Sequence, residues 1–284
     1  MQIFSPAHLG ELLSTYSTHP DALLIAGGIE VMRGIEKASR PGKIIDLTTV
    51  AELKRISRTE RHMDIGPTLP VSHILSIGRH VIPRVLHDAL HSISAPAIRN
   101  VATLGGNLCK ASPYSDSLTA LFALEALLEL KSYTTTRWVP VSKFVLDQGK
   151  TDLRKGEILT RIRIPLKDWS IQVFRTVPSR GNPYLSSITF CGLAYIMKGV
   201  IQDIRFSVGS INPTVIRDRK LETPLIGHKL PLQEREIKIV RAALSELMVP
   251  IADSPLTGTY QTETSLRMVH WFLKELDQLN LAIR

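Results

Sequence analysis

Four glycines in two adjacent pairs are the residues of this chain whose type and spacing best suit chemistry. Gly27 and Gly28 follow a short apolar run in "ALLIAGGIEVM", and Gly105 and Gly106 sit in "VATLGGNLCKASPYSD". Glycine reaches positive φ and lets neighbouring peptide N–H groups converge on the oxygen of an anion. A helix starting just beyond, as "IEVMRGIE" reads, adds a field that favours negative charge. An isolated Gly-Gly is more often just a tight turn from strand to helix. Two such pairs, with Thr103 and Asn107 beside the second, fit a diphosphate clamped from two sides, because both side chains can bond phosphate or local backbone. Neither pair matches G-x-G-x-x-G with its downstream acid, nor G-x-x-x-x-G-K-S/T, so Rossmann and P-loop readings find no support.

The remaining reactive residues form no constellation. Cys109 and Cys191 are the two cysteines, far apart and without C-x-x-C spacing or a histidine pair, so no metal site is expected and no iron–sulfur cluster is expected on this chain alone. Should electrons pass through iron and sulfur, another chain must hold them. His62, His73, His80, His87 and His91 are irregularly spaced, as surface or structural histidines are. No side chain is expected to act as nucleophile or general base. The formal charge is +9, spread over groups such as Arg33, Lys37, Arg40 and Lys43 with no nucleic-acid-binding motif. A basic surface of that kind suits an anionic cofactor or an acidic partner subunit, and no nucleic-acid partner is expected. No apolar run approaches the ~18 residues needed to span a bilayer. The opening "MQIFSPAHLGELL" lacks the features of a signal peptide. The expectation is a cytoplasmic protein without a membrane span.

The elements that must position the glycines are mixed. At 284 residues, two domains are expected. Ser5 reads as an N-cap with Pro6 at the first helical position, and Leu9, Leu12, Leu13 and Tyr16 share a helical face. Strands are expected at "LLIA", "KIIDL" and "HMDIGP", with helical periodicity from 71 to 93 broken near Pro83. Ser115 and Asp116 can cap a helix starting at about Ser117, which turns into a strand paired with "RWVPVSKF". "EILTRIRIPL" alternates, with Ile158, Thr160, Ile162 and Ile164 against Leu159, Arg161 and Arg163. Three further strands, "IQVFRTV", "SSITFCGLAYIMKG" and "IQDIRFSVGSI", precede two closing helices. A boundary is expected between Pro165 and Ser170, giving an α+β chain.

"LIAGGIEVM" and "APAIRNVATLGGNLCKASPYSD" together resemble the paired flavin-binding signatures of the FAD-containing medium subunit of the molybdenum hydroxylases, the family of xanthine dehydrogenase and the aerobic carbon monoxide dehydrogenase flavoprotein. "GKIIDL", "MDIGP", "KGEILTRIRIPL", "SINPTVIRDRKLETPLIGHKL" and "GTYQTETSLRMVHWFLKEL" extend the resemblance over nearly the whole chain. It implies a two-part FAD-binding domain of the vanillyl-alcohol-oxidase type at 1–167, with subdomains of about 1–55 and 56–167. A smaller domain follows at 168–284, with an antiparallel sheet and C-terminal helices.

Residue by residue, the resemblance implies that Leu24, Ile25, Ala26, Gly27, Gly28, Ile29, Glu30 and Val31 bind the FAD diphosphate through backbone amides. Thr103, Gly106 and Asn107 stand on the other side of the cofactor, Asp116 reaches the adenosine ribose, Leu159 touches the cofactor, and Arg175 stands where a flavin-contacting lysine is found. It implies two partners, a small subunit with two [2Fe-2S] clusters and a large molybdopterin-containing subunit, with NAD+ or another acceptor receiving the electrons. "ASPYSD" is closer to the xanthine dehydrogenase form of its loop. Ile29 stands where many relatives have Thr or His, Lys110 replaces a smaller polar residue, and neither Lys110 nor Cys109 is given a role. A stand-alone flavin oxidoreductase acting directly on a small molecule is the alternative, disfavoured by the lack of a covalent-flavin histidine motif.

Overall fold

The computed structural model describes residues 1–35, 42–179, 182–251 and 258–282; Lys37 and Arg40 lie outside them. In chain order the elements are β1 (Gln2–Phe4), α1 (Leu9–Thr18), β2 (Leu23–Ile25), α2 (Ile29–Ile35), β3 (Lys43–Asp46), β4 (Ile56–Arg58), β5 (His62–Ile65), α3 (Val71–Ser76), α4 (Arg84–Ser92), α5 (Pro96–Arg99), α6 (Leu104–Lys110) and α7 (Asp116–Ala123). There follow β6 (Leu127–Lys131), β7 (Thr136–Pro140), α8 (Val141–Phe144), β8 (Val145–Asp147), β9 (Lys150–Thr151), β10 (Ile158–Pro165), β11 (Ile171–Ser179), β12 (Asn182–Met197), β13 (Val200–Gly209), α9 (Arg219–Glu222), α10 (Glu234–Glu246), α11 (Gly258–Lys274) and α12 (Leu276–Ala282).

The chain forms two compact units. One comprises residues 1–82, 94–111 and 125–166; the other takes 83–93, 112–124 and 167–284. The first holds a parallel sheet in the order β1-β3-β2 and an antiparallel sheet in the order β4-β5-β10-β6-β7. Leu12, Ala22, Ile45, Val50, Leu53 and Ile158 meet in one of its cores. Helix α1 starts later than the sequence reading places it. Its N-cap is His8, and Pro6 lies in the chain leading in, where its carbonyl accepts from Thr49 Oγ1 at 2.7 Å. Glu11, in the first turn, reaches back to accept from the Ala7 N–H at 2.8 Å, satisfying an amide that the helix cannot.

Strand β10 keeps the expected alternation only in part. A bulge between Leu159 and Arg161 leaves Thr160 without a partner across the ladder, and its hydroxyl donates instead to Glu129 Oε2 at 2.7 Å. Leu159, read from sequence on the same face as two arginines, is buried at 4% exposure. Arg163 donates twice to Asp64, at 2.8 and 2.9 Å.

The second unit is built on the antiparallel sheet β11-β12-β13. Phe190, Ala194, Ile204 and Phe206 pack in its core with Ile237, Val240 and Leu244 of α10 and with Leu266, Val269 and Phe272 of α11. Gly192 is required there, because a Cβ would sit 2.7 Å from the Phe272 ring. Helix α7 also packs on β12 and β13. Thr119 Oγ1 lies 2.6 Å from Thr189 Oγ1, and Ser207 Oγ donates to the Thr119 carbonyl at 2.7 Å. Among the described residues, no helix is long and apolar enough to cross a membrane.

Candidate functional site

In the first unit, strand β2, held in parallel register on β3 with Leu24 opposite Ile45, delivers the chain to the first glycine pair. Gly28 has φ +74°, a left-handed conformation that side chains rarely adopt, and its carbonyl accepts from the Met32 N–H at 2.8 Å, so that α2 begins at once. Gly27 is glycine for a different reason. A Cβ there would overlap the Val101 carbonyl oxygen and lie 2.9 Å from its carbonyl carbon. The chain just ahead of the second glycine pair therefore lies against the first.

The second pair is not a loop, as expected, but the first turn of α6. Thr103 is its N-cap, with extended backbone, and Thr103 Oγ1 accepts from the Gly106 N–H at 3.1 Å. The Gly105 N–H donates to the Pro67 carbonyl at 2.9 Å and the Asn107 N–H to the Thr103 carbonyl at 3.0 Å. A Cβ on Gly105 would fall 2.5 Å from Pro67 Cβ and 2.6 Å from its oxygen. Gly106 is exposed, and the one atom within 4 Å of a Cβ built on it is Thr103 Oγ1, at 2.9 Å. Three of the four glycines thus serve the fold directly, and Gly106 presents a bare backbone to open space.

This geometry sorts the donors. The α6 amides at 105, 106 and 107 are already bonded, so this segment can offer an anion the close approach allowed by Gly106 and the Thr103 hydroxyl, which accepts from an amide and keeps its own hydrogen to donate. The amides of a helix's first turn point out of its end, which makes those of Ile29 to Val31 the natural backbone donors on the other side. The Ile29 side chain is half-buried and apolar, and offers no hydrogen bond. Lys110 Nζ of α6 lies 2.5 Å from Glu30 Oε1 of α2. Cys109 is exposed.

Asp116 and Arg175 belong to the second unit. Asp116 opens α7 and is buried at 5% exposure. Ser92 Oγ and Ser186 Oγ donate to its Oδ2 at 2.7 and 3.1 Å, while Oδ1 is buried without a partner. Burial pushes its pKa up to about 6 against the pull of the two hydroxyls. Ser115, expected to share in capping α7, makes no side-chain cap bond. Arg175 is exposed on β11; Nη1 donates to the Phe174 carbonyl at 3.1 Å, and the guanidinium stands 5.6 Å from the Trp271 ring centroid. Cys191 is buried, which holds its thiol well above the usual range. Among the described residues, no group of three or more His, Cys, Asp or Glu is placed to hold a metal ion.

These features fit FAD. In the first unit, a bare glycine face beside a hydroxyl donor suits a diphosphate. Sequence reasoning missed the residues that set this up. Val101 and Pro67 act through backbone carbonyls that carry no residue signature, and Ser92 and Ser186 reach Asp116 from 24 and 70 positions away.

Comparison with known proteins agrees. Residues 1–167 match the family described as the FAD binding domain in molybdopterin dehydrogenase, and residues 173–276 match the CO dehydrogenase flavoprotein C-terminal domain. The chain is 28% identical to the glyceraldehyde dehydrogenase medium chain of Sulfolobus acidocaldarius over 90% of each chain. It is 30% identical to the xanthine dehydrogenase FAD-binding subunit of Escherichia coli, covering 81% of this chain and 80% of that one. Its fold is that of a chain of carbon monoxide dehydrogenase from Hydrogenophaga pseudoflava, with a TM-score of 0.87 at 22% identity over 95% of this chain and 94% of the other. With an FAD-binding domain followed by a CO dehydrogenase flavoprotein C-terminal domain, this chain belongs to the family of FAD-binding subunits of the molybdenum hydroxylases, and its cofactor is FAD.

Proposed function

We propose that this chain is the electron-transfer flavoprotein of a xanthine dehydrogenase-like molybdenum hydroxylase. It takes electrons from [2Fe-2S] clusters on a small partner subunit, which receives them from a large molybdopterin-containing subunit, and passes them to NAD+ or another acceptor in the cytoplasm. Gly106, left open beside the Thr103 hydroxyl, supports the cofactor part of this reading. The names of two relatives, a medium chain and an FAD-binding subunit, support a role within a larger assembly. The xanthine dehydrogenase form of "ASPYSD" favours purines or related heterocycles as substrates of the large subunit.

Bound FAD supplies the redox chemistry, and the protein supplies binding, orientation and electrostatics. In the first unit, the backbone from Leu24 to Val31, centred on Gly27 and Gly28, donates to the diphosphate from one side. The Thr103 hydroxyl and Asn107 side chain donate from the other, with Gly106 allowing contact at backbone distance, and Leu159, almost wholly buried on β10, is the further residue assigned to a cofactor contact. In the second unit, Asp116 at the start of α7 and Arg175, exposed on β11, are the residues assigned to the adenosine ribose and to the charge of the flavin. No proton transfer is assigned to any side chain of this chain.

Purification of the tagged chain from its native host tests the assembly. Molybdenum, iron and two further chains should travel with it in fixed ratio. An FAD-loaded chain that purifies alone and oxidises a small molecule directly would overturn the subunit reading in favour of a stand-alone oxidoreductase.

A further inference from the structure

Lys110 is the last residue of α6, and Glu30 is the second residue of α2. Each of these helices starts at one of the glycine pairs, and the two side chains meet at 2.5 Å across 80 positions of sequence, both partly exposed. The same two segments also touch through the backbone of Gly27, just before α2, and Val101, just before α6, a contact that side chains do not mediate. The α2 and α6 segments are therefore tied at two points; Gly28 and Ile29 lie between the ties on the first segment, and Thr103 and Gly106 lie between them on the second.

We infer that the Glu30–Lys110 ion pair is a strap that holds the two glycine segments at the separation a diphosphate needs. Both are positioning residues for FAD binding, and the inference rests on the assignment of these segments to the diphosphate. In the strap, the Lys110 ammonium is engaged by the Glu30 carboxylate rather than by phosphate. Glu30 offsets that positive charge while its backbone amide remains on the donor side of α2. A partly exposed pair contributes little to folding. Its effect falls on ligand binding, because opening it frees two helix ends that binding must then order again.

The test is a double-mutant cycle on FAD affinity in the full chain, using Glu30→Gln, Lys110→Met and the double variant, with melting of the apo proteins measured in parallel. Each single change should weaken FAD by about threefold. The double variant should be no weaker than the singles, Lys110→Arg should restore affinity, and the wild-type advantage should shrink as salt is raised. Apo melting should be unchanged. Three results overturn the strap: tighter FAD binding by Glu30→Gln, which marks Lys110 as a phosphate ligand; additive losses in the double variant; or singles that lower apo melting without changing FAD affinity. Failure of the wild-type chain to bind FAD takes down the site assignment as well, and so is distinguishable from failure of the strap alone.

Discussion

Alanine at Gly106 should separate cofactor binding from folding, and alanine at Gly27 should not. A Cβ on Gly106 meets Thr103 Oγ1 at 2.9 Å, the same oxygen that caps the Gly106 amide at 3.1 Å. Turning the threonine away forfeits a cap worth about 1 kcal/mol. Alanine in place of glycine inside a helix contributes about 1 kcal/mol in return. The stability of the apo protein should therefore stay within about 1 kcal/mol of wild type. The displaced hydroxyl is also the donor assigned to phosphate, and a hydrogen bond to a charged oxygen is worth about 1.5–3 kcal/mol. FAD should consequently bind about 10- to 150-fold more weakly. At Gly27 the obstacle is the Val101 carbonyl, which no side-chain rotation can move, so the apo protein should lose about 1–3 kcal/mol. Denaturant melts of the apo proteins and FAD titrations followed by flavin fluorescence measure both quantities. Wild-type FAD affinity in Gly106→Ala, or wild-type apo stability in Gly27→Ala, refutes the reasoning.

Asp116 makes the apo protein sensitive to pH. Its folded pKa of about 6 lies above the ordinary 3.8, so the folded state takes up the proton first; the stability that this protonation contributes is full below about 3.8 and is lost as pH rises through about 6. The difference corresponds to about 3 kcal/mol, so Asp116→Asn should melt higher than wild type at pH 8, with the advantage vanishing toward pH 4. A pH-independent difference would show that the buried charge is not its source. Gly192→Ala should destabilise the apo protein by about 1–3 kcal/mol through the Phe272 ring, read by the same melts. Arg175→Gln should lower the reduction potential of the bound flavin by removing a positive charge; an unchanged potential in spectroelectrochemical titration would show that Arg175 serves only its contact with Trp271.

The fold was legible wherever one local signal decided it. The apolar run before Gly27, the break near Pro83 and the three long strands after Trp169 all appear where hydrophobic period and proline place them. The start of α1 was not, because Ser5 and Pro6 form a good local cap, while the contacts that fix the chain there, Thr49 on the Pro6 carbonyl and Glu11 on the Ala7 amide, include a partner 43 positions away. The second glycine pair misled for a related reason. Glycine is a poor helix former, yet Thr103 caps the turn and Pro67 accepts the Gly105 amide, so tertiary bonds override propensity. For the site, the glycine identities pointed to close backbone approach, but not to what approaches: for Gly27 and Gly105 it is the chain itself. Asp116 was legible as an acid at a helix start, whereas its orphaned oxygen depends on serines from α4 and β12 that no local pattern connects to it.

The central claim is that this chain holds FAD by its diphosphate at the two glycine segments. Titration of the apo protein with FAD and, separately, with riboflavin and with FMN tests it most directly, because riboflavin keeps the ring system but lacks the diphosphate and the adenosine, and FMN restores one phosphate without the adenosine. Loss of two charge-assisted hydrogen bonds predicts that FAD binds at least about 100-fold more tightly than riboflavin. Equal affinities, or no flavin binding at all after reconstitution, would contradict the account.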